Sequence, residues 1–448
     1  MQKLSFRDII LLGMTNFVLY VGAGNIIFPP YLGMCTGTEV ISSAIGFIIT
    51  GVGLPVIAAI ALANKVGSLT LITLPIGLKG GIVAAVICYL CIGPLNAIPR
   101  TTTVAYEMGA APYMGEDNLL IYSVIYYVIA ALFALYPTKI LDTVGRFLSP
   151  VKIGALLVLC VAGVIFSPSA PIDPVEPYRS QAFSEGIING YLTLDTLASL
   201  AFGIVIVNAI RSRGVTERKR ITKYAIISGS MAGIGFIVIY VSLFKLGVTA
   251  HVLAPEAENG ATVLRAFVNY AFGTGGNIFL SLLITIVCLV TAIGLICACS
   301  AYFSSITPIR YRAYVFAIAI FSCVISNLGL TELIRISTPL LMTVYPMFVV
   351  LVFTSFVARR FNNPRFVIAP VALLSLAFGL VDGFKTAGIS LLPPSVTTLL
   401  PLSDAYLAWL LPSLVLLIIL ALYDHFLNPR YELEDEYLKE HPEEIQQS

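Results

Sequence analysis

Twelve apolar runs, each close to the length of one bilayer crossing, constrain this chain of 448 residues more than any other feature. A helix that crosses a bilayer needs about 20 mostly apolar residues. The runs lie at residues 6–31, 39–64, 80–105, 119–136, 150–166, 194–210, 224–246, 278–303, 313–328, 334–357, 366–381 and 407–423. The pattern predicts an all-α polytopic membrane protein with about 12 transmembrane helices.

The composition supports a membrane protein and argues against a cytosolic enzyme. Hydrophobic residues make up 58% of the chain and charged residues 11%, whereas soluble domains have about 45–50% and about 25%. Cys88 and Cys91 form a C-x-x-C, but both lie in an apolar run without a second pair or a histidine nearby. We expect the cysteines to be packing residues and predict no metal site.

The distribution of basic residues predicts the orientation. If the N-terminus is cytoplasmic, 20 of the 26 basic residues fall on the cytoplasmic side, as positively charged cytoplasmic loops require. These residues are Lys3, Arg7, Lys65, Lys79, Lys139, Arg146, Lys152, Arg211, Arg213, Arg218, Lys219, Arg220, Lys223, Arg310, Arg312, Arg359, Arg360, Arg365, Arg430 and Lys439. We therefore expect both termini to be cytoplasmic, the C-terminus as an acidic tail over 431–448.

The first run contains a poor helix-forming stretch, with Gly22, Gly24, Asn25, Pro29 and Pro30 close together. In a helix Gly costs about 1 kcal/mol and Pro about 3 kcal/mol relative to Ala, so we expect this stretch to unwind. Unwound backbone at membrane depth must be buried in protein or line a cavity. Its amides suit a carboxylate, and its carbonyls suit an ammonium group or a cation. The alternative is close helix packing through small residues, which requires neither an amide side chain nor a helix breaker.

Several motifs together resemble a known family. They are Arg7-Asp8-Ile-Ile, Gly22-Ala-Gly-Asn-Ile-Ile-Phe-Pro-Pro, Gly93-Pro-Leu-Asn-Ala-Ile-Pro-Arg-Thr and Ser212-Arg-Gly-Val-Thr-Glu. Over essentially the whole chain, the sequence resembles the bacterial branched-chain amino acid:cation symporters. The resemblance implies a LeuT-like fold, with two inverted repeats of five spans and two further helices.

The resemblance also implies a domain organisation and a location. The first repeat is predicted at 1–166, the second at 167–357, and the two additional helices at 358–430, before the tail at 431–448. The expected location is the plasma membrane of a bacterium, which is the inner membrane in a Gram-negative cell.

In such carriers the sixth span is interrupted opposite the first. The corresponding segment contains Asp195, Thr196, Ser199, Phe202 and Gly203, all of which we predict near the substrate. For Thr196 and Ser199 the alternative role is hydrogen bonding between helices, and for Phe202 it is packing. Asp195 is the strongest candidate, because an ionisable group inside a span is costly and usually functional.

The resemblance assigns roles to the first interruption. Gly22, Ala23, Gly24 and Asn25 match the unwound G-x-G-N of LeuT-like carriers, whose amides bind the substrate carboxylate.

The resemblance also implies an ion site, formed by the carbonyls of Val18 and Val21 and by the hydroxyl of Thr291 in the eighth span. LeuT-like sodium sites usually have two adjacent hydroxyls there, whereas this chain has Val290 at one of the two positions. Proton coupling therefore remains open, with Asp195 as the proton-carrying candidate.

Arg100 follows Pro99 toward the outer end of the third span. It is predicted to act as an outer gate, paired with Glu107 or with the incoming substrate carboxylate. The alternative is a side chain that extends to the membrane surface.

The leading functional prediction is uptake of leucine, isoleucine and valine by symport with Na⁺. The alternatives are symport with H⁺ and, from another class, a passive channel. Catalytic constellations and nucleotide-binding motifs are missing from the sequence, so we predict neither an enzyme nor a cofactor. The expected partners are the three amino acids, the coupling ion and membrane lipid, with no nucleic acid and no obligate protein partner.

Overall fold

The computed structural model describes residues 4–65, 67–135, 152–391 and 402–427, together with positions 393, 400, 429, 433 and 437. The α-helices are α1 Phe6–Tyr20, α2 Ala23–Thr36, α3 Val40–Ile48, α4 Leu54–Asn64, α5 Leu69–Thr73, α6 Leu78–Ile92, α7 Ala97–Ala105, α8 Ala111–Met114, α9 Leu119–Ala134, α10 Lys152–Ile165, α11 Tyr178–Leu192, α12 Asp195–Arg211, α13 Arg218–Ala250, α14 Gly260–Ile306, α15 Tyr311–Ser326, α16 Leu330–Val357, α17 Pro364–Thr386 and α18 Leu410–Leu427. Two π-helical turns, Ile49–Gly53 and Tyr106–Ala110, join α3 to α4 and α7 to α8.

Several residues named in the predictions from the sequence lie outside the described residues. They are Lys3, Lys139, Arg146, Arg430, Lys439 and the predicted tail, apart from positions 433 and 437.

Seven helical stretches in the described part of the chain are long and apolar enough to cross a membrane. They are Ala23–Asn64, Leu78–Met114, Tyr178–Arg211, Arg218–Leu253, Gly260–Ile306, Leu330–Arg360 and Pro364–Thr386, and four shorter apolar helices accompany them (α9, α10, α15 and most of α18). The predicted all-α polytopic architecture is confirmed.

The outer helices carry apolar side chains on their exposed faces. These include Leu120, Ile121, Val124, Ile125, Val128 and Leu132 of α9, Leu157, Val158, Val161 and Val164 of α10, and Leu414, Val415, Ile418, Ile419 and Leu422 of α18. Soluble monomers rarely expose such continuous apolar surface. These faces are therefore suited to acyl chains, while the polar groups of the span interiors are buried.

The first run is interrupted, but over a shorter stretch than expected. Only Val21 and Gly22 lie outside the helices, and α2 starts at Ala23 and continues through Pro29 and Pro30. Close packing on α13 explains the continued helix, since a Cβ added to Gly247 would lie 2.0 Å from the carbonyl oxygen of Pro30. Tertiary packing here overrides the low helix propensity of proline.

The sixth run is also interrupted, and its first half was missed by the prediction. We expected a helix from residue 194, whereas α11 precedes it and ends at Leu192, and α12 begins at Asp195. Polar residues such as Glu185 and Asn189 made this half resemble a loop. It is helical because it packs closely on α3, where a Cβ added to Gly186 would lie 2.1 Å from the carbonyl oxygen of Ser43.

These interruptions lie at the centre of the helical packing. The long helix α13 packs against α1, α2 and α4, while α12 packs against α4 and α11 against α3. The third span has its own break between Ile92 and Ala97, after which α7 packs against α14. This arrangement brings α2, α7 and α12 close to one another.

Candidate functional site

The two interruptions are joined by a hydrogen bond between side chains at the start of α2 and α12. We call Val21 and Gly22 the first interruption, and Thr193 and Leu194 the second. Asn25 Nδ2 donates to Asp195 Oδ2 at 2.5 Å, and both residues are buried. The predicted proximity of the first and sixth spans is therefore present in the structure.

Asn25 uses all its hydrogen-bonding groups within this junction. Its Oδ1 accepts from the N–H of Gly22 at 2.6 Å, and its Nδ2 also donates to the hydroxyl of Tyr240 at 2.6 Å. The Tyr240 hydroxyl in turn donates to Asp195 Oδ2 at 3.5 Å. Since a primary amide has one acceptor oxygen and two N–H donors, Asn25 fixes the start of α2 to both α12 and α13.

At the first interruption, the Gly22 N–H binds Asn25, so a carbonyl at the end of α1 lacks its usual helical partner. A regular helix would pair the Gly22 N–H with the carbonyl of Val18. Here the ammonium group of Lys152 on α10 donates to that carbonyl at 3.3 Å and also to the carbonyl of Val21. The two carbonyls expected to bind the coupling ion thus contact a cationic side chain.

At the second interruption, Arg100 pairs with the end of a helix as Lys152 does at the first. Its Nη1 donates to the carbonyl oxygen of Leu192, the last residue of α11, at 2.5 Å. The guanidinium carbon also lies 5.4 Å from the ring centroid of Phe28, within the range of a cation–π contact. A cation at the C-terminal end of a helix is favoured by the helix dipole.

The structure corrects the predicted position of Arg100. This side chain is 3% exposed and lies at the level of the interruptions instead of at the outer end of its span. The predicted partner Glu107 is found in the π-helical turn after α7, where it accepts from Asn259 Nδ2 at 2.9 Å. The reason is the break before Ala97, which separates α7 from α6 and brings Arg100 close to Gly24: a Cβ on Gly24 would lie 3.5 Å from Arg100 Nη1.

Several buried hydroxyl groups around the second interruption are not fully hydrogen-bonded in the described part of the chain. Thr196 and Ser199 are 1% and 0% exposed, and their hydroxyls lie close to those of Tyr345 and Tyr20 without forming a hydrogen bond of regular geometry. Native proteins rarely leave buried polar atoms unpaired unless water, an ion or a ligand completes them. These hydroxyls are therefore available to a small polar solute.

A small cavity reaches Asp195 from between α1, α4 and α13. Asn16, Tyr20 and Asp195 supply its polar edge. The rest of its lining is apolar or small: Gly51, Val52, Pro55, Val56, Ala59, Gly229, Ala232, Gly233 and Phe236. Its volume of about 20 Å³ is room for about one water molecule, so a larger solute enters only when the surrounding helices move apart.

Phe202 and Gly203, two of the predicted residues, lie away from the junction. Phe202 is half-buried and Gly203 packs on α4, where an added Cβ would lie 2.4 Å from Leu62 Cδ2. Both are about two helical turns beyond Asp195, roughly 10 Å along the axis at 1.5 Å per residue. Thr291 is on α14 and donates to the carbonyl of Val287 at 2.9 Å. The roles predicted for these three residues stay predictions.

Sequence reasoning missed Lys152 and Tyr240. Lys152 was assigned to a cytoplasmic segment because it comes at the start of an apolar run, yet it is 7% exposed. Its position inside the apolar run at 150–166 was the available signal, since an ionisable residue within a span is a functional candidate. Tyr240 is fully buried on α13, and its sequence context resembles that of any apolar helix.

Together these groups form a dipolar site. The first N–H groups of α2 have no partner within the helix, and Arg100 lies beside them, so this end attracts a carboxylate. Asp195 and the hydroxyls of Thr196 and Ser199 attract an ammonium group. The site is therefore suited to a small zwitterion, with an apolar cavity next to its anionic side chain.

Comparisons with known proteins find similar sequences over nearly the whole chain. The protein family described as "Branched-chain amino acid transport protein" matches residues 5–427. The chain is 50% identical over 431 residues to the branched-chain amino acid transport system 3 carrier protein of Pseudomonas aeruginosa, covering 96% of this chain and 98% of that protein. It is 47% identical over 425 residues to the branched-chain amino acid permease BrnQ of Escherichia coli K12, covering 94% and 97%.

Solved structures share the fold at low sequence identity. Mhp1, a nucleobase-cation-symport-1 family transporter in a closed conformation with bromovinylhydantoin bound, aligns with a TM-score of 0.60 at 14% identity. The alignment covers 95% of this chain and 94% of that chain. The fold is that of the LeuT-like transporters, as the sequence resemblance implied.

Proposed function

The chain belongs to the family of branched-chain amino acid transport proteins, and we propose that it takes up leucine, isoleucine and valine by symport with a cation. The observation that supports this proposal most strongly is the Asn25–Asp195 contact, which joins the two interrupted spans inside the bundle. Bare helix ends at membrane depth are the feature by which such transporters bind charged solutes.

The proposed substrate site uses both ends of the amino acid. The carboxylate binds to the first N–H groups of α2, at Ala23, Gly24 and Asn25, with Arg100 adjacent. The ammonium group faces Asp195 and the hydroxyls of Thr196 and Ser199. A charged group in an apolar interior must be paired or hydrogen-bonded, and this arrangement supplies partners for both charges.

The aliphatic side chain requires only apolar surroundings. The cavity next to Asp195 has Val52, Val56 and Phe236 among its lining residues. Because one methylene contributes about 0.8 kcal/mol when buried, this apolar lining should bind all three branched side chains with similar affinity once the helices move apart to admit them.

Sodium and the proton are the two candidate coupling ions. Sodium follows from the expected site at Val18, Val21 and Thr291. The proton is favoured by Asp195, an intramembrane carboxyl group at the junction of both interruptions, in direct contact with Asn25 and Tyr240. Carboxyl groups in such positions form proton relays in transporters.

Uptake into sealed proteoliposomes distinguishes the two ions. Accumulation of labelled leucine is measured with an inward sodium gradient at equal pH, and separately with an inward proton gradient without sodium. If Asp195 carries the proton, Asp195→Asn abolishes proton-driven accumulation and retains exchange of leucine between the two sides. Proton-driven accumulation by Asp195→Asn equal to that of the native chain would exclude this residue as the carrier.

Counterflow distinguishes a carrier from a passive channel, which is the alternative function from another class. Vesicles preloaded with unlabelled leucine accumulate labelled leucine transiently if the binding site alternates between the two sides. A passive pore gives no such stimulation, and its absence would contradict the proposed function.

A further inference from the structure

Lys152 occupies the place that the resemblance assigns to the coupling ion. Its Nζ donates to the carbonyl of Val18 at 3.3 Å and to that of Val21, and its side chain is buried. It reaches these groups from α10, more than 100 residues away in sequence, so the contact is tertiary.

The carbonyls of Val18 and Val21 need a donor or a cation because of the first interruption. The Gly22 N–H that would pair with Val18 in a regular helix binds Asn25 Oδ1 instead. Val21 precedes the first residue of α2, so its carbonyl also falls outside the regular helical pairing. An unpaired carbonyl at membrane depth costs several kcal/mol, and the Lys152 ammonium group removes this cost for both carbonyls.

The surrounding charges disfavour a second cation at these carbonyls. Of the described side chains that can carry a full charge near pH 7, three are buried around the interruptions: Arg100, Lys152 and Asp195, with exposures of 3%, 7% and 4%. Asp195 on α12 and Cys288 on α14 are the titratable groups that interact electrostatically with Lys152. With one carboxylate against two cationic side chains, an added sodium ion would increase an excess of positive charge that already exists in a medium of low polarity.

We propose that the ammonium group of Lys152 is the resident cation of this site, and that a sodium ion binds at Val18 and Val21 only when this group is removed. The identification of these carbonyls as an ion site rests on the proposed transport function. The contact of Lys152 with them does not, because it is a property of the folded chain. In consequence, the first interruption keeps its shape without a free ion at these carbonyls.

The test compares thermal unfolding of purified Lys152→Ala and of the native chain in sodium and in potassium at equal ionic strength. In Lys152→Ala the vacated carbonyls are open to sodium, and we expect saturating sodium to raise the unfolding temperature by at least about 2 °C relative to potassium. The native chain should lack this additional sodium response.

Lys245→Ala is the matched control. Lys245 also donates to a main-chain carbonyl of a neighbouring segment, that of Val164 at 3.2 Å, but on an exposed surface. It should respond to sodium as the native chain does. A sodium response of Lys152→Ala equal to that of the native chain would overturn the proposal, as would a response that falls when Lys152 is removed.

If Lys152→Ala does not fold, a second pair of variants tests the proposal. Lys152→Gln is neutral and Lys152→Arg keeps the positive charge, so only the glutamine variant should gain the sodium response. Equal sodium responses of these two variants would overturn the proposal.

Leucine counterflow of the native chain, measured in parallel, keeps the two questions separate. If the native chain lacks counterflow while Lys152→Ala gains the sodium response, the transport function is wrong and the role of Lys152 stands. The reverse combination leaves transport intact and rejects the resident cation.

Discussion

The first span breaks at a glycine in an extended conformation, whereas the sixth span breaks at a leucine in the left-handed region. Gly22 has φ −112° and Leu194 has φ 68°. Left-handed backbone costs a residue with a side chain about 1–2 kcal/mol, and surrounding contacts must compensate for it. Leu194 is 2% exposed, so burial of its side chain is one such contribution.

The ends of the two interruptions are nevertheless built alike. A cationic side chain pairs with the last carbonyls of the first half-helix in both cases, Lys152 at α1 and Arg100 at α11. The second half-helices start with the polar pair that joins them, Asn25 and Asp195. The comparison indicates that tertiary charges stabilise the helix ends, while the local sequence determines only how the chain turns between them.

Gly24→Val is expected to have the largest effect, because Gly24 lies where both interruptions meet. A Cβ at this position would already lie 3.3 Å from the Phe28 ring and 3.4 Å from Thr193 Cα, so the branched side chain closes the space between them. We expect leucine uptake to be abolished and the protein to remain folded, as measured by uptake into proteoliposomes and by thermal unfolding.

Gly275→Val is the control for this prediction, since Gly275 is exposed on α14 and a Cβ added there would have no atom within 4 Å. Its uptake should stay within about twofold of native, as for substitutions without a steric mechanism. Retained uptake by Gly24→Val would show that the substrate does not bind at the start of α2.

Asp195→Ala is expected to have the next largest effect because it removes the link between the interruptions. It leaves Asn25 Nδ2 without its carboxylate acceptor and Arg100 without the nearby negative charge. A hydrogen bond to a charged group contributes about 1.5–3 kcal/mol, and the variant loses both the Asn25 bond and the proposed ammonium partner, so leucine affinity should fall by at least about 100-fold. Equilibrium binding of labelled leucine measures this loss.

Asp404→Ala provides the comparison for Asp195, because Asp404 is fully exposed and lies 3.9 Å from Lys385. Its leucine affinity should be native. Similar affinities of the two variants would mean that the Asn25–Asp195 junction has no part in substrate binding.

Arg100→Gln tests whether the cationic side chain at the second interruption also binds the substrate. The guanidinium lies beside the proposed carboxylate site, and a charge-assisted hydrogen bond contributes about 1.5–3 kcal/mol, so leucine affinity should fall by about tenfold or more. Arg335→Gln, at an exposed ion pair with Glu332, should leave leucine affinity unchanged. An unaltered affinity of Arg100→Gln would limit Arg100 to capping α11.

The smallest effect is expected for the difference in affinity among the three substrates. If the site recognises the charged ends at the interruptions and the cavity is only apolar, leucine and valine should differ in affinity by less than about tenfold, since one methylene contributes about 0.8 kcal/mol. Competition of isoleucine and valine against labelled leucine measures this ratio. A preference above about 100-fold would require a shaped side-chain pocket.

The sequence predicted the membrane class and the first interruption because both are local properties. Apolar length predicts helices, and Gly22, Gly24 and Asn25 predict a break. Thr193 and Leu194 carry no comparable signal, since the left-handed turn at Leu194 depends on surrounding helices.

Lys152 and Arg100 were misplaced for a related reason. Their roles depend on which carbonyls they reach across the bundle, and that depends on the relative positions of α10, α1, α7 and α11. A single sequence contains the charge of each residue but not these distances.

A cryo-EM structure with bound leucine tests most directly the claim that the two interruptions form the substrate site. We expect the leucine carboxylate at the first N–H groups of α2 and its ammonium group beside Asp195. Leucine bound elsewhere, with the Asn25–Asp195 contact unchanged and no ligand between α2 and α12, would contradict it.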